Sequence, residues 1–322
     1  YKRQVRNIVA RRVGSASTGA LLLAAHYDSR PQSPGAGDDA TGVAVLLEAV
    51  RAMGNALPMT NDLIVLLSDG EEYGLHGARA FVSGHRWMDD VRLILNVEMR
   101  GARGPSLMFQ TGGENGWIAS QLAAVDPAPV ANSLFVEVYR RLPNDTDFTP
   151  FLDAGVQGLN FAAIGGAEHY HQASDTPENL SEATVQHHGV RILALARHLG
   201  NQDLSAVDAP DRSFVPIPFV GLVTLPRIWA WPLTLGVLGG ILLVTFVATL
   251  RGTRTRGIVL GAILSLLAVG ASAAVGWLVF RWAAPLHEEF GVLTPAFHDE
   301  VPYRWALAFI VFAVTLGLFE AA

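Results

Sequence analysis

Three observations predict an α/β domain, three layers (α/β/α) deep around a central mixed sheet, followed by an α-helical transmembrane segment of two to three spans. Short continuous apolar runs alternate with amphipathic helical patterns over the first 200 residues, as expected of strands covered on both faces by helices. Charge is unevenly divided: residues 1–210 carry 39 charged side chains, and residues 211–322 carry 13, clustered between long stretches that have none. Two of those stretches, residues 228–250 and 257–280, run 23 and 24 positions without a charge, each beyond the roughly 20 needed to cross a bilayer. The chain as a whole is 50% hydrophobic and 16% charged, against about 25% charged for soluble domains.

From the N-terminus, the apolar runs place strands at 7–13 (NIVARRV), 20–27 (ALLLAAHY), 62–68 (DLIVLLS), 91–98 (VRLILNVE), 106–111 (SLMFQT) and 157–164 (QGLNFAAI). Helical patterns fall at 39–54, 74–84, 114–125, 146–154 and 178–199. Residues 1–200 thus form one soluble domain, long enough for a single large core. Residues 201–227 contain Pro210, Pro216, Pro218 and Pro226 and read as an extended linker rather than a helix. Residues 228–322 are the membrane region, with spans at 228–250, 257–280 and 305–319. The third would reach only about 22 Å at the helical rise of about 1.5 Å per residue, a span cut short or frayed. The start at Tyr1 rather than Met, and the stop at Ala322 inside an apolar run, lead us to expect a piece of a longer protein.

Loop charges orient the spans. Arg251, Arg254 and Arg256 lie between the first two with no acid, which places that turn in the cytoplasm and the soluble domain on the other side. Residues 284–303, rich in acids and without Lys or Arg, agree. So do Trp229, Trp231, Trp277, Trp282 and Trp305, five of the seven tryptophans, which all mark span ends on that outer face.

The chain has no cysteine, so thiolate zinc sites, disulfides and cysteine nucleophiles are excluded, and any metal must sit on His, Asp or Glu. A net charge of −6 argues against nucleic acid as a partner. In folds of this class ligands bind beyond the carboxyl ends of the strands. There the sequence sets five clusters: His26-Tyr-Asp28, Gly37-Asp38-Asp39, Asp69-Gly-Glu71-Glu72, Glu98, and Glu168-His169-Tyr170-His171 leading to Ser174-Asp175-Thr176. The set suits two divalent cations: a carboxylate bridges them, and each completes a nitrogen and oxygen shell from a histidine and a further carboxylate. Such a pair activates a water and polarises a carbonyl, with an unligated carboxylate shuttling the proton. Glu71 and Glu72 offer both roles, because successive side chains diverge.

The segments HYDS, SPGAGDDATG, DGEEYGL, NVEMRG and YHQASDTPENL, in this order and spacing, resemble the co-catalytic di-zinc aminopeptidase and glutamate-carboxypeptidase-like family. NVEMRG, FQTGGEN and PNDTDF are similar, more specifically, to its membrane-tethered branch, the endoplasmic-reticulum metallopeptidase and vacuolar membrane protease type. The resemblance covers roughly residues 20–200 and implies a zinc-exopeptidase domain acting on peptides, with two zinc ions and a lipid bilayer as its support. Carried over by position, it implies that Asp38 bridges the zincs, with His26 and Glu98 on one and Glu72 and His171 on the other. Glu71 would be the general base, and Asp28 would orient His26. The resemblance further implies a cis peptide at Asp38-Asp39, His171 rather than His169 as ligand, and Asp145 and Asp147 in the substrate pocket. Soluble relatives mostly have Asp where this chain has Glu98; the membrane-tethered branch shares the Glu, which is therefore kept as a ligand.

Aromatics at Trp117, Phe148 and Phe151 read as core, and His76, His85, His187, His188 and His198 as surface positions. Two other readings of the domain are an inert receptor-like ectodomain and glutaminyl cyclisation on the same scaffold. The complete two-metal set together with Glu71 favours hydrolysis, most simply as an aminopeptidase.

Overall fold

A computed structural model describes residues 4–54, 59–126, 129–252 and 254–283. The chain forms two units, Tyr1–Arg227 and Ile228–Ala322. The first is built on strands β1 (Ile8–Arg12), β2 (Ala20–His26), β3 (Asp62–Ser68), β4 (Val91–Met99), β5 (Leu107–Thr111), β6 (Val130–Ala131) and β7 (Gln157–Ala163). They form one mixed sheet in the order β1-β3-β2-β4-β7-β5-β6. β3, β2, β4 and β7 run parallel, so their carboxyl ends share one edge, while β1 and β5 run antiparallel to β3 and β7.

Side chains alternate across a strand, and β2 distributes its apolar run to both faces accordingly. Leu21, Leu23 and Ala25 join the core beneath α1 (Ala40–Met53), α3 (Gly116–Val125) and α6 (Glu182–Leu199), where Leu46, Ile118, Ile192 and Leu195 are fully buried. Ala20, Leu22 and Ala24 join the opposite core beneath α2 (His76–Gly84) and α5 (Phe148–Asp153), closed by Phe81, Phe148 and Phe151. This is the three-layer arrangement read from the apolar runs, with Phe148 and Phe151 in the core as expected. Packing is tight enough that a Cβ on Gly158 of β7 would lie 2.1 Å from the Ile94 carbonyl oxygen of β4. The pattern missed β6, two residues long, and α4 (Ser133–Tyr139), whose Leu134, Phe135 and Val138 are exposed. A further correction concerns His188, which faces the core of the domain with no exposed surface.

Residues 201–227 are not a free linker. They belong to the first unit, and β8 (Arg212–Ile217) pairs with β9 (Gly221–Pro226) as an antiparallel hairpin. Leu204, Val207, Phe214 and Leu222 enter the same core as α3 and α6, and Phe214 N–H donates to Ser133 Oγ at 2.8 Å. The prolines do exclude helix, but a two-stranded ribbon has open edges where a missing N–H costs no ladder bond.

At the start of the second unit, the 24-residue stretch Arg227–Leu250, which includes α7 (Ala230–Leu250), contains an 18-residue window of mean hydropathy 2.3, none of it buried. By length and composition it can cross a membrane. The following helix α8 (Thr255–Ala283) contains a shorter apolar stretch, Arg256–Ser272. The expected third span at 305–319 and the loop 284–303 lie outside the described residues.

Candidate metal centre

The parallel strand ends converge on one buried cluster. β2 ends at His26, 1% exposed, whose Nδ1 lies 3.0 Å from the main-chain oxygen of Asp28. Only an Nδ1–H can make that contact, so in the neutral ring Nε2 keeps its lone pair. That atom faces Asp38 Oδ1 at 3.1 Å and Glu98 Oε2 at 3.5 Å. The Asp28 carboxylate stands farther from the ring, at 3.6 Å, and accepts the main-chain N–H groups of Glu71 and Glu72. Asp28 therefore ties the loop after β2 to the turn after β3 as well as steering the imidazole.

Asp38 reaches the centre on the loop before α1. Its own N–H and that of Gly37 donate to the two carboxylate oxygens of Asp175, at 3.2 and 2.7 Å. A side chain at Gly37 would strike that carboxylate, its Cβ 2.8 Å from Asp175 Oδ1. The Asp38-Asp39 peptide is cis. Asp39 turns away from the cluster and caps α1, accepting the Gly42 N–H at 3.1 Å and the His26 N–H at 3.3 Å.

Beyond β3, Gly70 at φ +76° turns the chain so that Glu71 and Glu72 diverge. Glu72 is buried and divides its oxygens between His171 Nε2, 2.9 Å away, and Arg30 Nε at 2.8 Å. Glu98, near the end of β4, is aimed by Asn96, whose side-chain amide donates to Oε1 at 3.0 Å and leaves Oε2 facing His26. Asn96 is itself held by Asn160, which donates onward to Gln110 and Thr146. From the loop after β7 comes His171, at φ +59°, its ring stacked on Tyr170 with centroids 3.7 Å apart. His169 instead places Nδ1 3.0 Å from Ser174 Oγ, outside the cluster.

The ligand-type atoms thus form two trios, His26/Asp38/Glu98 and Asp38/Glu72/His171, each within 4.8 Å internally and sharing Asp38. Asp38 Oδ2, Glu72 Oε1 and His171 Nε2 are buried, converge on one another and make no hydrogen bond. Buried acceptors without donors normally cost stability, whereas a cation among them satisfies all three. The donor set, imidazole and carboxylate only, fits one divalent metal in each trio.

Charge is concentrated in the same place. Burial pulls the His26 pKa down, but Asp28, Asp38 and Glu98 overcome it and hold the ring well above its ordinary value. Burial likewise opposes His171, which Asp38 and Glu72 raise. Asp38, despite burial, is held down to about 2 by the two imidazoles. Glu71 is pushed up to about 10, by burial first and then by the negative charge of Glu98. Asp147 has no exposed surface, bonds Ser68 Oγ through Oδ2 and leaves Oδ1 without a partner; burial, then Glu98, lifts it to about 7. Without metal, the site is a concentration of acid that Arg30 offsets in part and protonation must otherwise relieve.

Residues 7–196 match Peptidase family M28, and the chain belongs to that family. It is 33% identical over 234 residues to endoplasmic reticulum metallopeptidase 1 of Mus musculus, covering 70% of this chain and 26% of that one. It is 34% identical over 202 residues to the vacuolar membrane protease of Candida dubliniensis, covering 62% of this chain and 21% of the relative. The chain therefore spans about a quarter of the length of these curated relatives. In fold it resembles an aminopeptidase from Aneurinibacillus sp. strain AM-1, with a TM-score of 0.52 at 21% identity over 64% of this chain and 50% of that one.

All seven expected site residues, His26, Asp28, Asp38, Glu71, Glu72, Glu98 and His171, meet in this cluster. Sequence alone assigns no role to Arg30, Asn96 or Asp175, although Asn96 lies in the NVEMRG segment and Asp175 in YHQASDTPENL. Asp147, raised to about 7 from 3.8, contributes stability below its unfolded pKa that is lost as pH rises through about 7. In the chelated protein, the melting temperature of Asp147→Asn should therefore rise relative to the parent between pH 5 and pH 8. An unchanged difference across that range would refute the assignment.

Proposed function

We propose that the chain carries the catalytic domain and membrane anchor of a di-zinc exopeptidase, most simply an aminopeptidase. The single observation behind the proposal is the pair of buried trios joined at Asp38, with Glu71 beside them. His26, Asp38 and Glu98 would hold one zinc, and Asp38, Glu72 and His171 the other. Bound there, zinc supplies an activated water and polarises the scissile carbonyl.

The chain's own residues supply positioning and proton transfer. Glu71 carries no ligand duty in either trio, and its carboxyl returns toward the ordinary carboxylate range once cation charge balances Glu98. As the carboxylate it takes the proton of the attacking water at its side-chain oxygen and delivers it to the departing amine. Asp28 holds the Glu71 and Glu72 main chain, so the base and the ligand beside it keep a fixed separation. Asn96 and Arg30 set the direction of the Glu98 and Glu72 carboxylates, as partners of metal ligands do elsewhere.

In this reading residues 228–250, 257–280 and 305–319 are spans, residues 251–256 are cytoplasmic, and the peptidase domain is extracytoplasmic, working on peptides beside the bilayer.

Glu71→Gln should lower kcat on short peptides by about 100-fold or more while the purified protein keeps the parent's zinc content, measured by elemental analysis. Parental turnover in that variant would refute the base assignment. Because the chain lacks cysteine, a thiol placed by Thr253→Cys reports topology directly. An impermeant maleimide should reach it only from the cytoplasmic side, and labelling from outside would invert the orientation.

A further inference from the structure

Three arginines stand at the rim of the metal centre. Arg30 is paired with Glu72 at 2.8 Å, and Arg103 with Glu168 at 2.9 Å. Arg100 is exposed and has no carboxylate within ion-pair distance among the described residues, in a neighbourhood where acids predominate. Its place is nonetheless fixed. The Arg100 N–H donates to the Ala163 oxygen at 2.9 Å, and the Arg103 N–H donates to the Gly165 oxygen at 2.9 Å. Between them Gly101 lies so close to the other loop that a Cβ would sit 2.3 Å from the Gly165 oxygen. The segment after β4 is thereby laced to the segment after β7, and the Arg100 guanidinium carbon stands 5.0 Å from the centroid of the Tyr170 ring. Tyr170 in turn stacks on His171. A cation held on a ring face, one ring away from a ligand of the second trio, keeps its N–H fork available to a planar anion.

We infer that Arg100 is the binding residue for a carboxylate carried by the substrate on the leaving side of the scissile bond, which makes short peptide acids the preferred substrate class. The inference rests on the peptidase reading above. A guanidinium takes a carboxylate through two parallel N–H···O bonds, and a chain-terminal carboxylate or an acidic side chain presents the same chemistry. The docked peptide would lie with its scissile carbonyl at the trios and its negative end over Tyr170.

The test compares Leu-Ala, Leu-Ala-amide and Leu-Glu-amide on the zinc-loaded full chain in detergent, for the parent, Arg100→Met and Arg100→Lys. The parent should prefer Leu-Ala over Leu-Ala-amide by about tenfold or more in kcat/KM, equivalent to about 1.4 kcal/mol. Arg100→Met should collapse that ratio toward one, chiefly through KM, and Arg100→Lys should restore part of it. A preference for Leu-Glu-amide over Leu-Ala-amide that also vanishes in Arg100→Met would assign an acidic side chain as a second source of the carboxylate. An Arg100→Met variant that keeps the parent's ratio, or a parent with no preference between acid and amide, would overturn the inference while leaving the peptidase reading intact. A parent that cleaves none of the three would overturn both.

Discussion

The structure turns on one carboxylate. Asp38 stands 3.1 Å from His26 Nε2 through one oxygen and 3.1 Å from His171 Nε2 through the other, at 5% exposure. Around it are gathered Glu71, Glu72, Glu98 and Asp147, and burying this much acid without compensation is among the most costly things a fold can do. The two imidazoles and Arg30 answer only part of that charge. Under the di-zinc proposal, cations shared by Asp38 would answer the rest, and the arrangement of the other six residues would follow from that need.

The fold meets the requirement by geometry rather than by local rigidity. Four parallel strands bring their carboxyl ends to one edge, so residues far apart in sequence arrive together: His26 from β2, Glu71 and Glu72 beyond β3, Glu98 from β4, and His171 beyond β7. Long-range polar contacts then hold the loops in register. Asp175 grips the main chain at Gly37 and Asp38, and Asp28 grips that at Glu71 and Glu72. Beneath Glu98, the amides of Asn96 and Asn160 continue the support to Gln110 and Thr146. Each removes one freedom from a ligand that the apolar core cannot reach.

Much of this was legible in the amino-acid sequence, for identifiable reasons. The central strands are predominantly apolar runs, and His26 and Glu98 fall at or near the ends of two of them, so a strand assignment also assigned the site's edge. The ligand types carried their own chemistry. What could not be read was whatever depends on partners distant in sequence. Nothing near Arg30 points to Glu72, and nothing near Gly37 or Asp38 points to Asp175. Asn96 and His188, by contrast, had local signals: Asn96 shares the strand face of Glu98 two residues on, and His188 lies on the buried stripe of Thr184, Ile192, Leu195 and Leu199 in α6. The hairpin of β8 and β9 was hidden because its prolines suggested an unstructured connection, although their positions suit a two-stranded ribbon. The role of Asp28 was read only in part: the imidazole contact was expected, and the grip on the turn after β3 was not.

The most direct measurement of the central claim is the zinc content of the metal-reconstituted chain and of its Asp38→Asn variant, taken with a check that the variant remains folded. If one carboxylate joins the two trios, the parent binds two zinc ions per chain and the folded variant loses both at stoichiometric metal. A parent that holds no zinc, or a variant that still holds two, would contradict the account.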